Sequence, residues 1–256
     1  MRLINILILS SLLFNGCDLT NDHDSCINAG KTCNDRNDKT FNDQYNDSCV
    51  CQGKRVVFKP GNGVTDVEGN HYKSFILGKQ EWMQEDLHVK KFRNGDEISI
   101  IENGDKWGSA SKAAAVEIPK QLLKSNSTLY NWHVVSDQRN VCPVGWHVPT
   151  IKEWQELIDN CGGSSIAGDH LLRISRLSYP EFDSDNSKGF AAELNGHRDN
   201  MFGEYFNQNE HGYWWTSTDV DSTSAQGIAM SKCSSHVTSD LHDHKKSGLN
   251  LRCIKN

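Results

Sequence analysis

The chain has 256 residues, 36% of them hydrophobic and 23% charged, with nine cysteines and a formal net charge of −6. That length accommodates one sizeable domain with a small module beside it. The mild acidity and the lack of a basic patch argue against nucleic acid and anionic lipid headgroups as partners.

The first seventeen residues, MRLINILILSSLLFNGC, hold one basic residue, Arg2, an apolar run from Leu3 to Phe14, and Gly16 directly before Cys17. The run has the length of a signal-peptide core and is too short to span a bilayer. Gly16-Cys17 resembles the junction at which bacterial lipoprotein precursors are cut and lipidated, although Phe14 and Asn15 stand where Leu and a small residue are commoner. An ordinary secretory signal accounts for the apolar run but leaves Cys17 as one more cysteine; a lipoprotein signal accounts for both. Residues 1–16 are therefore expected to be a signal peptide, with lipidated Cys17 as the membrane anchor. The expected location is the outer membrane or cell surface of a Gram-negative bacterium. Asp18 leaves the choice of membrane open.

Eight cysteines remain: Cys26, Cys33, Cys49, Cys51, Cys142, Cys161, Cys233 and Cys253. An even set in an exported chain reads as a disulfide framework, and the split along the chain suggests two separate ones. Residues 17–54 are polar and dense in cysteine, so disulfides must give this stalk any fixed shape. Asn-Asp pairs recur at 34–35, 37–38, 42–43 and 46–47. They suit either calcium or solvated turns, and their spacing departs from that of a calcium loop, which favours turns.

From residue 55 the composition turns globular. VTDVEGNHYKSFILGKQEWM predicts two short strands around the turn Glu68-Gly69-Asn70, burying Tyr72, Phe75 and Leu77. Arg93-Asn94-Gly95-Asp96 predicts a second turn. PKQLLK suggests a short helix, and LYNWHVV a strand. Thr150-x-x-Glu153 is a capping box opening a helix that buries Trp154, Leu157, Ile158 and Cys161, and Gly162-Gly163 stops it. A second helix is expected over AGDHLLRISRL. Short strands then return in GFAAEL, YFNQ, HGYWWTST, QGIAM and LNLRCIKN, while SSHVTSDLHDHKKSG reads as a polar loop. Short strands around two helices, without βαβ alternation, predict an α+β domain with antiparallel pairing.

The stretches VTDVEGNHYKSFILGKQEWMQEDL, LYNWHVV, CPVGWHVPTIKEWQEL, AGDHLL, GFAAELNGHR, YWWTST and SGLNLRCIKN together resemble the Fibrobacter succinogenes major paralogous domain over roughly residues 56–256. The resemblance implies a C-type-lectin-like fold, shared with the formylglycine-generating enzymes, and a secreted or lipid-anchored protein whose biochemical role is open. It also implies a disulfide between Cys142 and Cys253. Cys161 and Cys233 are then left to pair with each other.

No motif with catalytic mechanics is present, so a non-catalytic protein without cofactor or metal is expected. The formylglycine-generating relatives use two cysteines close together near the chain end, whereas Cys233 and Cys253 are far apart. His242-Asp243-His244 with His236 is the only histidine cluster, and no third metal ligand is placed for it. The lectin calcium motifs that the fold resemblance would imply are absent. Tyr213, Trp214 and Trp215 are the candidate ligand residues: Trp214 must point opposite to its neighbours, so one side of the strand fills the core and the other could offer a sugar-stacking platform, unless all three are packing residues, the reading this fold favours. The expected task is recognition of an extracellular glycan or protein partner. A structural envelope protein without a ligand and a divergent enzyme are the alternatives.

Overall fold

The computed structural model describes residues 26–36, 40–123, 127–172 and 189–256. Residues 1–16 and Cys17 lie outside them. The chain divides into two compact units, one of Met1–Asp38 with Asn42–Gly53 and one of Lys39–Phe41 with Lys54–Asn256.

The smaller unit has little apolar surface to bury, and two disulfides, Cys26–Cys49 and Cys33–Cys51, cross-link it instead. Strand β1 (Thr40–Tyr45) pairs with β2 (Cys51–Arg55). The Asn46 side chain accepts from the Ser48 and Val50 amides, and Asp43 accepts from the Asp35 amide. These are the local turns that Asn and Asp favour.

In the larger unit the chain runs through β3 (Lys59–Pro60), β4 (Val64–Thr65), β5 (His71–Tyr72), β6 (Ser74–Leu77), β7 (Gln80–Met83) and β8 (Ser99–Ile100). Helix α1 (Gly104–Gly108), β9 (Ala114–Glu117), β10 (Thr128–Tyr130), α2 (Trp132–Val135), β11 (Trp146–His147), α3 (Ile151–Asn160) and α4 (Ala167–Leu171) follow. The last strands are β12 (His197–Arg198), β13 (Tyr205–Phe206), β14 (His211–Asp219), β15 (Ser224–Ser231), β16 (Ser234–His244) and β17 (Ile254–Lys255). One antiparallel sheet has the order β11-β17-β7-β6-β3 and another β14-β15-β16; a third, β10-β9-β8, contains a parallel β8–β9 pair.

This architecture overturns the α+β, C-type-lectin-like expectation: the described residues are mostly β, in several small sheets, and only 11% helical. The helix at Thr150 does form, with both halves of its capping box in place, and Gly162 and Gly163 end it at positive φ. The second expected helix is described only as the five residues of α4. Leu172 already has extended backbone and bridges to Ala192, and positions 173–177 lie outside the described residues. Paired leucines that read as a helix face are here one helical turn followed by an extended residue. LYNWHVV splits at buried Asn131, whose side chain bonds the Ala114 amide and the Lys112 carbonyl, so β10 gives way to α2. Of PKQLLK, residues 119–123 form a turn on the Pro119 carbonyl, position 124 lying outside the described residues, and the expected loop at 234–244 is β16, the longest strand among the described residues.

Strand β14 is buried on both faces. Trp214 packs with Trp82, Trp154 and Phe190, while Trp215 joins a second cluster with Tyr130 and Trp132. Between these layers lies an ion pair. Asp86, whose side chain is 10% exposed, accepts from Arg252 Nε at 2.8 Å, Arg252 Nη2 at 2.6 Å and Trp214 Nε1 at 2.8 Å. Arg252 also donates to the Phe190 carbonyl and lies over the Phe190 ring. Next to it, Cys253 is joined to Cys142, closing a span of 111 residues, a constraint worth about 4–5 kcal/mol in chain-entropy terms.

The proposed pairing of Cys161 with Cys233 does not occur. Cys161 is a free thiol at the buried end of α3, and Cys233 is a free thiol exposed at the β15–β16 turn. Parity within a framework says nothing of distance, and one member of this pair belongs to the core. Burial pushes the Cys161 thiol up to about 12, which keeps it protonated and unreactive at neutral pH. A thiol-alkylating reagent at pH 8, followed by peptide mapping, should therefore label Cys233 in the native protein and Cys161 only after unfolding. Protection of both until a reductant is added would mean that they are bonded.

Candidate functional site

Of the three aromatic residues singled out in the sequence, Trp214 and Trp215 are fully buried and unavailable to a ligand. Their ring nitrogens are committed, to Asp86 and to the Tyr130 carbonyl. Because β14 has core on both sides, alternation along the strand offers no free face at these two positions. Tyr213 is half-buried. Its hydroxyl accepts from Asn207, and its ring meets His197 edge-on at 4.9 Å and stacks on His211 at 5.9 Å. Phe206 continues this aromatic surface by stacking on His197. All the other tryptophans are core as well.

A second side chain organises the same region and has no signature in the sequence. Arg198, on β12, is 1% exposed and has no carboxylate partner in contact. Its guanidinium donates to the carbonyls of Gly203 at 2.7 Å, Ile101 at 2.5 Å and Glu102 at 2.5 Å. It lies between the Trp107 ring at 4.7 Å and the Tyr205 ring at 5.1 Å, a cation–π sandwich in a dry setting. The loop after it is equally fixed. Asp199 accepts from the Met201, Phe202 and Glu204 amides, which holds its carboxyl below the usual range despite the opposing effect of burial. Gly104 passes so close to the Phe202 carbonyl that a side chain there would collide with it.

Tyr205, positioned by Arg198, forms one wall of a cleft of about 570 Å³. Part of the lining comes from the turn after β4. There the Asp66 carboxylate accepts from the Glu68 and Asn70 amides, the Asn70 side chain and the Tyr72 hydroxyl, so that Glu68 and Asn70 are presented to the cleft. The Lys90 amide donates to Glu68 at 2.6 Å, and the Lys90 ammonium pairs with Glu117 at 2.6 Å. That pairing holds the Lys90 ammonium above the ordinary lysine range. His88, Glu102, Lys120, Ser127 and Thr128 complete the polar lining. Burial pushes the Tyr205 phenol up, against the pull of Arg198, leaving a neutral hydroxyl at pH 7. The size is that of a small-ligand site, but the lining is far more polar than a drug-like pocket. Such a surface matches a ligand with many hydroxyl or amide groups.

Sequence reasoning missed this cleft because its walls come from segments more than 100 residues apart, none of them periodic or motif-like. His242 and His244 lie on β16 opposite Gln226 and Ser224. Among the described residues, no group of three His, Cys, Asp or Glu side chains is placed to hold a metal ion, and no helix is long and apolar enough to cross a membrane.

The family described as the Fibrobacter succinogenes major domain matches residues 76–255. The match spans well over half of the chain, and the protein belongs to that family. No curated protein and no solved structure matches it. Membership fits an extracellular or envelope-associated protein.

Replacing Arg198 by Lys keeps the charge but cannot reach three carbonyls in one plane. It should cost about 2–4 kcal/mol, since each buried carbonyl left without a donor carries a penalty of about 1–3 kcal/mol. Urea denaturation of Arg198→Lys measures this, and a loss under about 0.5 kcal/mol would show that the guanidinium is not the clamp described.

Proposed function

We propose that this is a non-catalytic, lipid-anchored envelope protein that recognises an extracellular glycan through the Tyr205 cleft. The observation that carries this reading is the cleft's composition: the aromatic ring of Tyr205 and the apolar Ile118 and Pro119 among carboxylates, ammonium groups, an imidazole, an amide and hydroxyls. Sugars present an apolar ring face and a rim of hydroxyls, and such a surface offers a partner for each. The shape is set in advance by the Asp66 turn and by Arg198, so little ordering entropy is lost on binding.

Calorimetric titration with a set of soluble oligosaccharides tests the reading. Tyr205→Ala should weaken the best binder at least tenfold, whereas Tyr213→Ala, outside the cleft, should change it less than twofold. Thermal unfolding confirms that each variant is folded. A folded wild-type protein that binds no oligosaccharide would move the assignment to a structural envelope role.

The anchor is tested separately. Cys17→Ser should abolish incorporation of labelled palmitate and move the protein from the membrane fraction to the soluble exported fraction. Unchanged membrane association would remove the lipid from the proposal.

A further inference from the structure

The cleft carries an uneven set of charges. Glu68, Glu102 and Glu117 line it with exposed carboxylates, against the ammonium groups of Lys90 and Lys120. Lys90 is already engaged, 2.6 Å from Glu117. Glu68 spends Oε2 on the Lys90 amide. At Glu102 it is the backbone carbonyl, not the carboxylate, that Arg198 uses. Lys120 is the remaining lining ammonium, and the His88 imidazole lines the cleft as well; Arg198 is buried behind Tyr205, and Asp199, Glu204 and Glu102 all lie close enough to act on its charge. An incoming ligand therefore meets more carboxylate oxygen than ammonium.

We infer that the cleft selects saccharides by charge, taking amine-bearing chains in preference to neutral ones and rejecting polyanions. The inference rests on the cleft being the glycan site. A protonated amino group meets Glu68 and Glu102 without first breaking an ion pair. A uronate or sulfate finds Lys120 as the one lining ammonium outside a described ion pair, must displace Glu117 to reach Lys90, and otherwise sits among carboxylates, and an unfavourable like-charge contact is an effective way to exclude a ligand. Glu117 acts as the gatekeeper: by occupying Lys90 it leaves an acidic sugar a single ammonium, Lys120, against the carboxylates of Glu68 and Glu102.

The test is a titration of the full-length protein with three oligomers of matched length, built from glucosamine, N-acetylglucosamine and glucuronate units, at low and high salt. Glucosamine oligomers should bind tightest, about tenfold above the N-acetylated chain at low salt and less at high salt, where exposed charges are screened. Glucuronate oligomers should bind weakest. The double variant Glu102→Gln/Glu117→Gln should abolish the preference for glucosamine and raise glucuronate binding about fivefold or more. Glu156→Gln/Glu210→Gln makes the same change in net charge away from the cleft and should leave the ranking as it is. Glucuronate binding equal to glucosamine binding, or a ranking unmoved by the cleft variant, would overturn the charge selection while leaving glycan recognition standing. Binding of none of the three would overturn both.

Discussion

The ion pair between Asp86 and Arg252 is the constraint on which the packing of the larger unit depends. It fastens four separated segments: the chain after β7, the residues around Phe190, strand β14 through the Trp214 ring nitrogen, and the approach to β17. Asn195 also reaches it, donating to Asp86 and to Asn250. Burial pushes the Asp86 carboxyl up, and the adjacent Arg252 guanidinium opposes that shift. A buried pair of this kind adds little net stability over a well-packed apolar core, but removing one partner typically costs about 3–5 kcal/mol. What the pair supplies here is register. Once Trp214 donates to Asp86, Trp215 must face the other layer, and the two apolar clusters are apportioned between the faces of β14.

Arg198 offers an instructive contrast. It is as buried as Arg252, yet carbonyl oxygens and two aromatic rings take the place of a carboxylate. A neutral cradle leaves the charge in place while fixing the guanidinium plane, and that plane sets the orientation of Tyr205. Two fixed supports thus stand behind the cleft's lining, the Arg198 cradle at Tyr205 and the carboxylate-organised turn at Glu68 and Asn70. Recognition surfaces gain from such support because geometry fixed before binding is not paid for on binding.

Much of the local structure was legible in the sequence. The capping box at Thr150, the double glycine after α3 and the turn at Glu68-Gly69-Asn70 are dictated by short-range chemistry, and each appears where the residues place it. The class of fold was not legible. Apolar spacing in AGDHLL serves one helical turn and then an extended residue, LYNWHVV changes conformation at a single buried asparagine, and the polar run 234–244 becomes a strand because β15 gives it a partner. Those outcomes are decided by tertiary pairing, which leaves no period in the chain. The same holds for the cleft. Tyr213, Trp214 and Trp215 drew attention as adjacent aromatics, but burial on both faces of β14 consumed two of them. The residues that shape the cleft, Asp66, Lys90, Arg198 and Tyr205, are individually unremarkable in sequence and acquire meaning only from one another.

The three consecutive residues 252–254 each complete a different part of the domain. Arg252 closes the ion pair, Cys253 the long disulfide, and Ile254 the link between β11 and β7 in the five-stranded sheet. They are also the last part of the domain to be synthesised. Until residue 254 is made, Asp86 lacks Arg252, and β7 lacks its neighbour β17. The core of the larger unit therefore cannot close before the end of the domain is present, however early its other elements are ready.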